Sequence, residues 1–231
     1  MAAAKPLALV TGVGPGTGAA IARRFAEGGY RVAMLARDAE RLAALETEIP
    51  DSIAVPCDVT DPAALDAALA RVGQPKVVVH NAVGGAFGSF RDVEPAVLER
   101  NFQVNVMALL HLARKVTPAM EAAGEGAIIV TGNTSALRGK ANFAGFAPTK
   151  AAQRILAESL ARDLGPKGVH VAYLVIDAVI DVAWTRERFK DAPDDFFIAP
   201  TDIAAEVFHL AHQPRTAWSF LAEVRPFREA W

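Results

Sequence analysis

Short apolar runs alternate with longer Ala- and Leu-rich stretches along the whole chain, and that alternation constrains the fold more than any single residue. The runs at 7–10, 31–36, 53–55, 77–79, 128–130 and 169–176 are strand-sized and often β-branched, and 218–224 offers a seventh. They are apolar continuously rather than at every second position, which predicts strands covered on both faces. The stretches 19–27, 39–48, 62–72, 95–123 and 150–164 read as helices. Strand, helix and strand repeated in this way implies right-handed crossovers onto a parallel sheet. The predicted fold class is α/β, a doubly wound sheet of about seven strands with helices on both faces. The polar stretch 185–200 reads as the one long irregular loop, the length at which a loop in a compact domain tends to be a functional lid.

The first strand runs into Thr11-Gly12-Val13-Gly14-Pro15-Gly16-Thr17-Gly18, and a helix follows. Glycines in such a turn let backbone approach a pyrophosphate, and the helix N-terminus presents unpaired N–H groups to the anion. A loose Gly-x-Gly-x-x-Ala match at Gly14, Gly16 and Ala19 gains weight from its position between strand and helix. These features predict a Rossmann-type dinucleotide-binding fold in one domain over residues 1–231.

Composition narrows the partners. A formal net charge of −2 gives no electrostatic footprint for nucleic acid or an anionic membrane. No run approaches the roughly 18 apolar residues of a membrane span. Residues 1–6 lack the layout of a signal peptide. The single cysteine, Cys57, has no internal partner, which fits a reducing compartment. The expected location is cytoplasmic.

The pattern Thr-Gly-x-x-x-Gly-x-Gly at Thr11, Gly12, Gly16 and Gly18 resembles the cofactor loop of the short-chain dehydrogenase/reductase superfamily, and the resemblance covers nearly the whole chain. Asp58-Val59 is similar to the family's pair after the third strand, whose acid contacts adenine. Asn81-Ala82 resembles the start of its Asn-Asn-Ala-Gly turn, with His80 and Val83 replacing two members. Asn105 matches the asparagine of its catalytic tetrad, and Lys150 the lysine. The resemblance implies bound NADP(H) or NAD(H), with Thr17 beside the phosphates and Lys150 on the nicotinamide ribose. Read without it, Asp58 is a helix N-cap, and Asn105 and Lys150 are ordinary helix residues.

The family's NAD-selecting acid would close the second strand. Ala36 occupies that place and Arg37 follows it, and a guanidinium suits a ribose 2′-phosphate bidentately. NADP is therefore the expected cofactor, with NAD as the alternative, because Pro15 replaces a basic residue of many NADP-using relatives and Arg37 has Asp38 and Glu40 as surface partners.

The catalytic tyrosine is absent. Its place four residues before Lys150 holds Phe146, which has no proton to give, and the position seven before holds Phe143. Only Tyr30 and Tyr173 exist in the chain, and neither falls near a catalytic position. The family's serine falls on Asn133, whose amide still donates a hydrogen bond. This pattern resembles a divergent subgroup with phenylalanine in place of the tyrosine. After the sixth strand, Asp177-Ala178 replace the family's Pro-Gly, and Val182 its nicotinamide-contacting threonine; Ile180, between them, is an expected cofactor contact. Lys150, Asp177, Asp181 and a water held through Asn105 are the alternative proton donors.

Two functions stay open: hydride transfer to or from a small carbonyl or alcohol with a non-tyrosine donor, and a catalytically silent NADP(H)-binding sensor or assembly protein. A non-redox use of the bound nucleotide is a third. The aromatic residues Trp184, Phe189, Phe196 and Phe197 predict a partly apolar small-molecule substrate. Apolar residues on several sides of the helices bearing Asn105 and Lys150 predict a homodimer or homotetramer.

Overall fold

In the computed structural model, which describes residues 4–229, the alternation becomes one parallel sheet. The sequence reading of 1–6 falls partly on residues 1–3, which lie outside the described residues. The strands are β1 (Leu7–Thr11), β2 (Arg31–Ala36), β3 (Ser52–Pro56), β4 (Val77–His80), β5 (Gly126–Asn133), β6 (Val169–Ile176), β7 (Val179–Ile180), β8 (Phe197–Ile198) and β9 (Leu221–Val224). Seven of them form a sheet in the order β3-β2-β1-β4-β5-β6-β9, while β7 and β8 pair only with each other. Every pairing is parallel.

The α-helices are α1 (Thr17–Glu27), α2 (Ala39–Glu48), α3 (Pro62–Val72), α4 (Pro95–Phe102), α5 (Ala108–Ala123), α6 (Ala147–Leu164), α7 (Ala183–Arg188) and α8 (Pro200–Ala211). They cover both faces of the sheet. Ala8 and Val10 of β1 pack with Ile21, Phe25, Leu42 and Val207 from α1, α2 and α8. Leu7 and Leu9 turn the other way, toward Leu65, Leu109, Leu112 and Ala157 from α3, α5 and α6. The pleat sends alternate side chains to opposite layers, so a strand buried on both sides must be apolar throughout.

Local chemistry sets the helix starts. Asp38 and Asp61 cap α2 and α3 by accepting from the Arg41 and Ala63 N–H groups. Proline stands in the first turn of α3, α4, α6 and α8, where its missing N–H has no helical partner.

Two expectations need correction. The run 95–123 is interrupted by a π-helical segment, Gln103–Met107, between α4 and α5. The stretch 185–200 is not irregular: it carries most of α7, a 3-10 turn at Asp194–Phe196 and β8. These elements are two to six residues long, too short for periodicity to reveal them. Helix α8 follows, its Ile203, Val207 and Leu210 falling at helical spacing on the buried side.

The crossovers diverge between β1 and β4, neighbours in the sheet although far apart in sequence. A doubly wound sheet opens a crevice beyond the carboxyl ends of its strands at such a switch point.

Candidate active site

The glycine turn sits at that crevice. Gly12 has a φ of +69°, and a Cβ there would lie 2.5 Å from the Ala82 Cα. A Cβ on Gly18 would fall 2.5 Å from the Gly12 carbonyl oxygen, and one on Gly16 2.6 Å from the Val182 Cγ1, whereas Gly14 has nothing within 4 Å. Gly12, Gly16 and Gly18 are thus sterically required, which favours the longer motif over the match at Gly14. Thr11 Oγ1 accepts from the Asn81 and Ala82 N–H groups, both at 3.2 Å. Asn81 donates to the Gly12 carbonyl at 2.9 Å and accepts from the Thr131 hydroxyl at 3.0 Å. No side chain caps α1, which suits an anion at its N-terminus.

Beside the turn lies a cavity of about 600 Å³ whose lining includes Gly14, Arg37, Arg41, Asp58, Val59 and Arg100. Asp38 is committed to Arg41, at 2.9 Å, and to the cap of α2. The Thr60 N–H, first, and its hydroxyl hold the Asp58 carboxyl below the usual carboxylate range, and Arg37 adds to this. Asp61 rather than Asp58 is the cap of α3. The sequence reading missed Arg41 and Arg100. The signal for Arg41 is its place in the first turn of the helix after β2.

A second cavity, of about 160 Å³, is lined by residues that include Thr17, Asn81, Asn133, Lys150, Ala178 and Ile180. Lys150 reaches it from α6 and is only 2% exposed. Its Nζ donates to the Thr131 carbonyl at 3.0 Å and to the Gln153 side-chain oxygen. Burial pulls the Lys150 amine down to about 7. His80 lies deeper, with Nδ1 3.2 Å from the Thr11 hydroxyl. Burial, then Lys150, lowers it to about 3, so it is neutral at physiological pH.

Asn105 is fully occupied. Its side chain accepts from the Gly84 N–H at 2.9 Å and donates to the Gly84 carbonyl and the Thr149 hydroxyl, both at 2.8 Å. Its carbonyl accepts from the Gln153 amide at 2.7 Å. Asn133 accepts from the Ser135 N–H at 3.1 Å, which commits its oxygen and leaves its NH2 as the donor. Phe146 is the residue before α6, buried, with its ring against Gly85.

Neither tyrosine substitutes for the missing phenol. Tyr30 packs in an aromatic cluster with Phe25 and Phe208 and bonds His212 at 2.9 Å. Tyr173 is buried behind Gly132, and desolvation raises its phenol well above the ordinary value. Asp181 is clasped by Arg186 through two contacts of 2.7 Å, which hold its carboxyl low. That pairing argues against Asp181 as a replacement acid. Asp177 is largely buried, 4.0 Å from Arg138.

Comparison with known proteins agrees with this geometry. A family model described as short chain dehydrogenase matches residues 6–192. The chain is 34% identical over 165 residues to the D-erythrulose reductase of Gallus gallus, covering 71% of this chain and 67% of that one. It is 32% identical over 227 residues to the 7alpha-hydroxysteroid dehydrogenase of Escherichia coli K12, covering 91% and 88%. Among solved structures, a metagenomic short-chain oxidoreductase in complex with NADP superposes with a TM-score of 0.83 at 32% identity, covering 96% of this chain and 98% of that one. No helix among the described residues is long and apolar enough to cross a membrane. The glycine turn at a Rossmann switch point, the lysine and asparagine beside it and the family match converge: this chain belongs to the short-chain dehydrogenase family of NAD(P)-binding oxidoreductases.

Proposed function

We propose that the chain is an NADP(H)-preferring oxidoreductase that moves hydride to or from a small carbonyl or alcohol, with a proton donor other than tyrosine. The observation that carries this reading is Lys150, an amine buried in the wall of the inner cavity that Asn133 also lines. The bound nicotinamide would supply or accept the hydride. The glycine turn and the start of α1 would hold its phosphates, Lys150 its ribose hydroxyls, and Asp58 and Val59 its adenine. Arg37 and Arg41 would take a 2′-phosphate, as planar donors do. The NADP held by the metagenomic relative supports this choice.

Lys150 is the favoured donor. Burial weakens its hold on a proton, bringing an ammonium near the strength a general acid needs at neutral pH. In a reduction it releases that proton to the substrate oxygen and becomes a neutral amine. Asn133 donates a hydrogen bond to the same oxygen.

A specific observation favours the second reading, a catalytically silent NADP(H)-binding sensor or assembly protein: Phe146 stands where the general acid belongs. Calorimetry with NADPH, then its absorbance against a panel of aldehydes, ketones and quinones, separates the two. Oxidation of NADPH supports the enzyme; tight binding without oxidation supports the silent protein. No binding of NADPH or NADH sinks both. The pair Phe146→Tyr and Asn133→Ser is expected to raise carbonyl reduction by about 100-fold or more, the contribution of a positioned general acid. A double variant that binds NADPH normally yet gains nothing overturns the placement of Phe146.

A further inference from the structure

Gln153 belongs to no motif of the sequence, yet it is completely buried one turn beyond Lys150. Its orientation is fixed by chemistry. The Asn105 carbonyl can only accept, so the Gln153 NH2 must face it, at 2.7 Å, and the side-chain oxygen is turned toward Lys150. The Asn105 carbonyl belongs to the π-helical segment, where the i→i+5 pattern displaces backbone groups from their α-helical partners. From the other side, a Cβ at Gly132 would fall 2.1 Å from Tyr173 Cε1, so glycine makes room for that ring. The Tyr173 hydroxyl reaches the Gln153 oxygen at 3.4 Å.

We propose that Gln153 is a positioning residue whose carboxamide bridges the Lys150 amine to the Asn105 carbonyl, pinning that amine in the cavity wall and closing its buried side. The proposal rests on Lys150 being the working amine of the site. An ammonium has three donors. One goes to Thr131 and one to Gln153, so the third is the one directed at the cavity. An amide accepts from the amine in either protonation state, which keeps Lys150 in place when it loses its proton. The groups facing it are His80 from β4, Tyr173 from β6, the Thr131 carbonyl from β5 and Gln153 on its own helix. No carboxylate hydrogen-bonds it among the described residues. A carboxylate at 153 would hold Lys150 protonated, and an apolar side chain would strand the Asn105 carbonyl.

The test uses the full chain. Urea unfolding is followed from pH 6 to 10 for wild type, Gln153→Glu and Gln153→Met, each with and without Lys150→Met, so that the differences isolate the lysine. NADPH affinity is read by calorimetry on the same proteins. In wild type the Lys150-dependent stability is expected to rise with pH above about 7. Gln153→Glu is expected to flatten that rise, with Lys150 holding its proton at least tenfold more tightly, and to keep NADPH affinity within threefold at neutral pH. Gln153→Met is expected to lose NADPH affinity tenfold or more. An unchanged Lys150-dependent rise in Gln153→Glu overturns the proposal, as does wild-type affinity in Gln153→Met. If Gln153→Met does not fold, the glutamate variant decides alone. If wild type binds no NADPH, the functional reading fails while the ligand-free pH series still judges Gln153.

Discussion

Phe146 and Lys150 stand one helical turn apart, at places where the family's motif divides two jobs between a tyrosine and a lysine. The phenylalanine has no proton to give, and it is buried at the start of α6. The lysine keeps its reach into the inner cavity. On the proposed function, holding a sugar and giving a proton both fall to that amine, so binding and turnover are both expected to depend on Lys150. Arg37, which lines the larger cavity, is the residue proposed to select the nucleotide. Arg37→Ala is expected to weaken NADPH binding at least tenfold more than NADH binding, since a charge-assisted hydrogen bond to a phosphate contributes about 1.5–3 kcal/mol. Adding Arg41→Ala should widen the gap. Calorimetry with both nucleotides checks this, and equal losses reject the assignment. Arg37, Lys150 and Asn133 are legible in sequence because a motif fixes their spacing. Gln153 and Arg41 are not, because their partners come from elements that only folding brings together.

Among the elements, the turn from β1 to α1 is the most constrained. Gly18→Ala must push a methyl against the Gly12 carbonyl, an overpacking expected to cost about 1–3 kcal/mol and to lower Tm by several degrees. Gly14→Ala meets open space and is expected to leave stability within about 0.5 kcal/mol while reducing NADPH affinity, because Gly14 lines the outer cavity. Thermal melts and calorimetry separate the two effects, and a Gly14 variant that melts like the Gly18 variant overturns the reading. Strands and long helices were readable because burial on both faces imposes continuous apolar runs and a helical stripe. Helix α7 and the β7–β8 pair were not, since two-residue strands have no period to detect. The π segment is equally silent in sequence: it is a shift in hydrogen-bond register, fixed by what Asn105 and Gln153 hold.

Across the whole molecule, two bases are buried in the floor of one crevice, and their titration sets how stability follows pH. Lys150 is lowered from 10.5 to about 7, so the unfolded chain holds more protons between those values and stability rises with pH through that window. His80, lowered from 6.5 to about 3, adds stability that is lost as pH falls from 6.5 toward 3. Cys57, raised from 9.0 to about 11 by burial, acts in the opposite sense and removes stability above 9. Between 9 and 10.5 the lysine and cysteine slopes offset, so maximum stability is expected near pH 9 to 10, measured by urea midpoints across pH, and an optimum below 7 would contradict it. Outward-facing apolar side chains such as Ile155, 51% exposed on α6, lead us to expect a homodimer or homotetramer by light scattering. The segment that follows β6 lends Ala178 and Ile180 to the inner cavity. Within it Arg186 ties Asp181 to Asp194 and lies over the Phe197 ring at 4.1 Å, while β7 pairs with β8. A stretch braced from within has little freedom left to surrender when a guest arrives. Freezing a slack residue costs about 1–2 kcal/mol, so a cavity wall already held in shape spares an incoming molecule that toll.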